Sequence, residues 1–228
     1  MLLLSLKSKD QKTFWLGRCS YEEARMLARN KFHNNLKNGG LIVLLAEHDP
    51  CITLGKRISL ESQSGEFLAK CKSRDLNIIE TDRGGLITYH GPGQLMIYPL
   101  MSLLHYGISV RFFVMAVLST VVNVLKLVGV NAYVDQLMQG VWVKVDSAPR
   151  KIASAGFRIV RGISDHGVCL YVNKIADDFS FFLPCGSSPH SLISIHEYLN
   201  EGVSFDLIRE VFRDRFSEYL FSEIRSSM

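Results

Sequence analysis

No segment of this 228-residue chain reaches the roughly 20 consecutive apolar residues that a bilayer-crossing helix needs. The richest stretch, residues 112–125, is bounded by Arg111 and Lys126 and interrupted by Ser119, Thr120 and Asn123. It is expected as a buried helix, with no membrane partner. The apolar start, residues 1–6, is too short for a secretory core. It has no basic residues before it and gives way at once to Lys7, Lys9 and Asp10, so export is not expected. The five cysteines, at 19, 51, 71, 169 and 185, are odd in number and contain no CxxC pair. That suits reduced thiols in the cytoplasm better than a disulfide framework or a cysteine zinc site. The seven histidines form no HExxH, so no metal is expected. No run of like charge exceeds three residues, and 26 basic against 22 acidic residues leave a net charge of only +4. Nucleic acid is therefore not an expected partner, while an acidic protein remains open. There is no Pro/Ser-rich linker and no internal repeat, so residues 1–228 are expected to form one domain.

What is present reads as an α+β chain, a mixed β-sheet with packed helices. Ser20-Tyr21-Glu22-Glu23 is a capping box that opens a helix running to the Asn38-Gly39-Gly40 stop. Residues 41–46 are continuously apolar, as in a strand covered on both faces, and Glu47-His48-Asp49-Pro50 turns the chain into a second run at 51–54. Further strands are expected at 76–81, 86–98, 140–145, 151–160 and 167–173. A helix at 112–128 is apolar nearly all round and ends at Gly129. A last amphipathic helix, capped by Ser204, presents Phe205, Ile208, Phe212, Phe216 and Leu220.

The most informative string is Arg83-Gly84-Gly85-Leu86-Ile87-Thr88-Tyr89-His90-Gly91-Pro92-Gly93-Gln94. Two glycine clusters would let backbone amides approach a ligand, and Gly91-Pro92-Gly93 enforces a turn that sets His90 at its edge. A glycine-rich hairpin with an incidental histidine is the plainer alternative. Two other polar, glycine-containing segments follow: Lys151-Ile152-Ala153-Ser154-Ala155-Gly156, and Asp165-His166-Gly167 leading to Pro184-Cys185-Gly186. Each is expected at a strand end or turn. Cys185, between a proline and a glycine, has the setting of an approachable nucleophile. A thiol with a pKa near 8.5 needs a cation or base beside it to work at neutral pH, and Lys151, His166 and His90 are the candidates. On residue type alone Lys151 also reads as a solvated loop charge, His90 and His166 as structural histidines, and Cys169 as core.

Taken together, these three segments, with Glu47-His48-Asp49-Pro50, Thr53-Leu54-Gly55-Lys56-Arg57 and Gly140-Val141-Trp142-Val143, closely resemble the octanoyltransferase (lipoyl(octanoyl) transferase) family over about residues 15–200. The pattern departs from the family's usual residues at Asp49, Gln139 and Cys169. The resemblance implies the biotin/lipoate protein ligase catalytic fold and no cofactor. It implies transfer of an octanoyl group from acyl carrier protein to a lysine of lipoyl domains of 2-oxoacid dehydrogenases or of the glycine cleavage H protein. It assigns catalysis to Cys185 and Lys151. It assigns substrate binding to Arg83, Gly84, Gly85, Leu86, Ile87, Thr88, Tyr89 and His90, to Ser154, Ala155 and Gly156, and to Gly167, Val168 and Cys169. His48 and His166 are expected in support.

Overall fold

A computed structural model describes residues 11–36, 39–135, 138–173, 191–200 and 202–226. The elements run β1 (Gln11–Cys19), α1 (Tyr21–Leu36), β2 (Leu41–His48), β3 (Cys51–Leu54), α2 (Gly65–Ser73), β4 (Asn77–Glu80), β5 (Ile87–His90), β6 (Gln94–Met101), α3 (Leu103–Tyr106), α4 (Val110–Leu127), β7 (Ala132–Val134), β8 (Val141–Val145), β9 (Ala148–Val160), β10 (Ile163–Tyr171), α5 (Ile195–Leu199) and α6 (Phe205–Arg225). Seven strands form one sheet in the order β1-β2-β6-β10-β9-β8-β7, parallel only between β1 and β2. Strands β4-β3-β5 form a second, smaller sheet.

Alternation along the strands divides the core into two layers. In β2, Leu41, Val43 and Leu45 face α4 and α6, while Ile42, Leu44 and Ala46 face Ala24, Ala28 and Leu36 of α1. This is why β2 is apolar throughout. Ser20 caps α1 as its sequence predicts, its Oγ accepting from the Glu23 amide at 3.2 Å while its own amide donates to Glu23 Oε2 at 2.9 Å. Ser204 stands at the N-cap of α6 but makes no side-chain cap bond. The α6 face buries Ile208, Phe212, Phe216 and Leu220, whereas Phe205 is only partly covered, against Trp15. At 18 residues helix α4 is, contrary to the expectation from sequence, long and apolar enough by length and composition to cross a membrane, yet Phe113, Val117, Val121 and Val124 are fully buried against the sheet and α6.

Two turns carry the chain from the large sheet to the small one and back. Residues 49–50 lead from β2 into β3, and Gly91-Pro92-Gly93 leads from β5 into β6. The expected turn at Gly91-Pro92-Gly93 is present, and the strands on its two sides belong to different sheets. The segments expected at strand ends or turns lie instead within strands: Lys151 to Gly156 in β9, and Asp165 to Gly167 in β10.

Candidate active site

Lys151 is aimed by an irregularity in the ladder. Val141 pairs with Ala153, but the next residue, Trp142, pairs with Lys151, so Ile152 is the extra residue of a β-bulge. Strict alternation would place Lys151 on the same face as Ala153, among the side chains under α4 and α6. The bulge turns Lys151 to the opposite face with Trp142 and Ser154, while Ile152 and Ala153 both enter the helix-side core. Lys151 is thus no solvated loop charge. It is 5% exposed, with Nζ 4.8 Å from the centre of the Trp142 ring. Gly140, at φ +114°, lets β8 pass over it: a Cβ there would lie 2.4 Å from the Ala153 carbonyl oxygen and 3.5 Å from the Lys151 stem.

The cavity in front of Lys151, about 440 Å³, is lined by Arg57, Arg83, Gly84, Leu86, Trp142 and Ala155 among others. Its roof is the loop before β5. Gly84 N–H donates to the Phe157 carbonyl at 3.2 Å, and a Cβ on Gly156 would meet the Gly84 oxygen at 2.9 Å. These glycines therefore allow backbone to lie on backbone, in addition to lining the cavity. Arg83 is buried and works inward as well: it donates to Thr53 Oγ1 (3.0 Å), Thr53 O (2.7 Å), Leu86 O (2.7 Å) and Gly84 O (3.0 Å), which fixes the loop. Strand β8 stops pairing at Ala153, so the edge of β9 beyond it is open. Phe157 directs its carbonyl to Gly84 on that edge, and by alternation Ala155 directs its N–H and C=O the same way.

A second, narrow pocket of about 30 Å³ opens past Arg83, Ser154 and Ala155, between Thr88, His90, Gly156, Gly167, Cys169 and His166. Most of the positions assigned by resemblance line this pocket or the Lys151 cavity, while the side chains of Ile87, Tyr89 and Val168 point elsewhere. Ile87 and Tyr89 alternate away from Thr88 and His90 into the core of the small sheet with Phe67. Val168 faces the helix layer on the far side of the large sheet. Gly167 is required by packing, since a Cβ there would sit 1.9 Å from the Ile97 oxygen. Cys169 lines the pocket and donates Sγ–H to Gln94 Oε1 at 3.1 Å, and Ser154 bonds the Tyr171 hydroxyl at 2.5 Å. Cys185 lies outside the described residues. The chain resumes at Ser191, and the Ile193 amide donates to the Lys151 carbonyl at 3.0 Å.

The histidines behind the pocket are held neutral. His48 Nδ1 donates to the Cys19 carbonyl at 3.1 Å and Nε2 accepts from the Tyr98 hydroxyl at 2.5 Å; burial pushes it down to about 4. Thr53 Oγ1 accepts from both Arg83 Nε and Nη2, so its own hydrogen goes to His90 Nε2 at 3.2 Å. This leaves the proton on His90 Nδ1, which has no partner among the described residues. Burial, then His48 and Arg83, drive His90 well below the ordinary imidazole range. His166, at φ +61°, donates Nε2–H to Asp82 at 2.6 Å and accepts from the Tyr21 hydroxyl at 3.0 Å. Burial first and then Arg25, against the opposing Asp165, push it to about 3.

Sequence reasoning missed the ionic cluster beneath His166. Asp82, Asp165 and His166 could together ligate a metal ion, but Arg25, Arg29 and Arg158 already neutralise the two carboxylates. The donor set does not suit a further cation. The signal lay in the i, i+4 spacing of Tyr21, Arg25 and Arg29 on one face of α1.

Residues 21–217 match the model of the lipoyl protein ligase A/B catalytic domain. Octanoyltransferases from Porphyromonas gingivalis, Myxococcus xanthus and Shewanella piezotolerans are 34%, 35% and 35% identical over 88%, 91% and 78% of this chain. The chain belongs to the octanoyltransferases of this family. It spans 43%, 59% and 76% of those three relatives' lengths. A bipartite lipoate protein ligase from Thermoplasma acidophilum shares the fold, with a TM-score of 0.76 at 17% identity over 95% of this chain and 91% of that one. Biotin protein ligase from Aquifex aeolicus shares it at 0.55 and 11% identity, over 92% and 71%.

Proposed function

We propose that the chain transfers an octanoyl group from acyl carrier protein to a lysine of a lipoyl domain, on a 2-oxoacid dehydrogenase or the glycine cleavage H protein, through a thioester on Cys185. The observation that carries this reading is the bulge that turns Lys151, itself 5% exposed, toward the cavity on the face opposite the helices. Cys185 as thiolate attacks the donor carbonyl, and the Lys151 ammonium protonates the departing pantetheine sulfur. The acceptor amine then attacks the Cys185 thioester. Lys151, now an amine, takes the proton, and the Cys185 thiolate leaves behind an amide. The outward Ala155 N–H is placed to bind the oxyanion of either tetrahedral intermediate.

The acyl chain enters the narrow pocket, whose roughly 30 Å³ admits eight carbons only once Met96, the adaptable side chain of its lining, shifts. His90 and His166, held neutral, are positioning groups rather than bases in this scheme. The reading places the protein in the cytoplasm, where its thiols stay reduced. Mixing the protein with octanoyl-acyl carrier protein, without ATP or magnesium, tests it: intact mass should rise by about 126 Da, one octanoyl group, and fall back when a lipoyl domain is added. Acylation that requires ATP and free octanoate would move the chain to ligase chemistry.

A further inference from the structure

A thioester has two arms, and the Lys151 cavity has two exits. One leads past Arg83, Ser154 and Ala155 into the narrow pocket. The other leads over Gly84 and Gly85 into an apolar groove of about 360 Å³ between α4 and the open edge of β9. The groove shares Arg57, Gly84, Gly85, Gln139 and Ala155 with the cavity, so the two are continuous. Its walls are Val110, Val114 and Leu118, one i, i+4 stripe of α4, facing Phe157 and Ile159 of β9. This explains why α4 is apolar nearly all round: one face enters the core, and another, with Val110 51% exposed, lines the groove.

On the basis of the octanoyl transfer proposed above, we propose that this groove seats the pantetheine arm of the acyl donor. Three features select that occupant. The volume suits a single extended arm rather than a protein hairpin. The β9 edge beyond Ala153 has no neighbouring β8 strand, and past the Phe157 carbonyl, which Gly84 takes, the outward Ile159 turns its N–H and C=O toward an extended chain bearing amides, as an added strand would use them. Arg57 flanks the groove, and its cation complements the phosphate that ends such an arm, whereas Arg158 on the same wall is already paired with Asp82. With the acyl chain in the narrow pocket, the reacting carbonyl then lies between the two arms, in front of Lys151.

The test compares donors of different length. Octanoyl-acyl carrier protein and octanoyl-pantetheine carry the arm, whereas octanoyl-N-acetylcysteamine keeps the acyl chain and thioester but lacks most of it. Val114→Asp buries a carboxylate in the groove and should raise KM about tenfold for the two arm-bearing donors, with kcat and the N-acetylcysteamine reaction unchanged. Val110→Asp, at the half-exposed entrance, should act in the same direction without disturbing the fold. Equal loss with the truncated donor would put the acyl chain in the groove. A rise confined to the KM of the lipoyl-domain acceptor would put the acceptor there. Either result, or no effect on any donor, overturns the proposal. Failure of the wild-type protein to use any octanoyl thioester refutes octanoyl transfer itself, and is distinct from wild-type activity that the groove variants do not sort by donor.

Discussion

Mild acid should destabilise this protein through imidazoles that the fold holds neutral, and His48 allows the size to be worked out. Both of its nitrogens are committed: Nδ1 donates to the Cys19 carbonyl and Nε2 accepts from Tyr98. Burial lowers it from 6.5 to about 4. Below pH 6.5 the unfolded chain therefore takes up a proton that the folded chain refuses until about pH 4, so stability is full above 6.5 and falls across that window. The complete gap corresponds to about 3–4 kcal/mol, of which roughly 2–3 kcal/mol is lost by about pH 4.5. His166 and His90 shift in the same direction and add to the loss. Asp165 does not interfere: burial opposes its ionisation, but Arg25 outweighs it and holds the group at about 2, so its contribution disappears only in stronger acid. Urea unfolding of wild type and His48→Gln, near pH 7 and near pH 4.5, measures the term. The variant should be less stable at neutrality, and its stability should depend less on pH by about 2–3 kcal/mol. An unchanged pH dependence would refute the assignment of His48 as a buried neutral imidazole.

Gly167→Ala should cost about 2–3 kcal/mol or more, read as a fall in Tm, because its Cβ would strike the Ile97 oxygen and force β6 from β10. Gly65→Ala, at the open first turn of α2, should be neutral or slightly stabilising in the same assay. Gly140→Ala should lower kcat at least about tenfold, since its Cβ meets the Ala153 oxygen beside the bulge that aims Lys151, and transfer assays should show this in protein that remains folded. Lys151→Arg keeps the charge but cannot give up a proton, so single-turnover assays should find cysteine acylation retained in part and onward transfer stalled. Onward transfer at the wild-type rate would show that Lys151 is not the base.

Features carried by one segment were legible in the sequence. The Ser20–Glu23 capping box, the unbroken apolar run of β2 and the four-residue spacing of Ile208, Phe212, Phe216 and Leu220 each express a local rule, and each is found where expected. What could not be read belongs to pairs of segments. Gly91-Pro92-Gly93 looks like a hairpin turn, and only pairing reveals that β5 joins β3 while β6 joins β2 and β10. β1, half-covered along its length, has too weak an apolar pattern to announce a strand, and it is placed by parallel pairing to β2 beyond an intervening helix.

The site shows the same division at the scale of single residues. A motif names a string, and the strand then selects alternate members of it: Thr88 and His90 reach the pocket while Ile87 and Tyr89 fill the small sheet's core. Gly167 and Cys169 line the pocket while Val168 packs beneath the helices. Lys151 is the instructive exception. Plain alternation would send it, with Ala153, into the helix-side core, where an uncompensated ammonium is costly. A single extra residue in β9 reverses that outcome, and the bulge exists only as a relation between β9 and β8. The residue type can be read from one strand, but the direction in which its nitrogen points requires both.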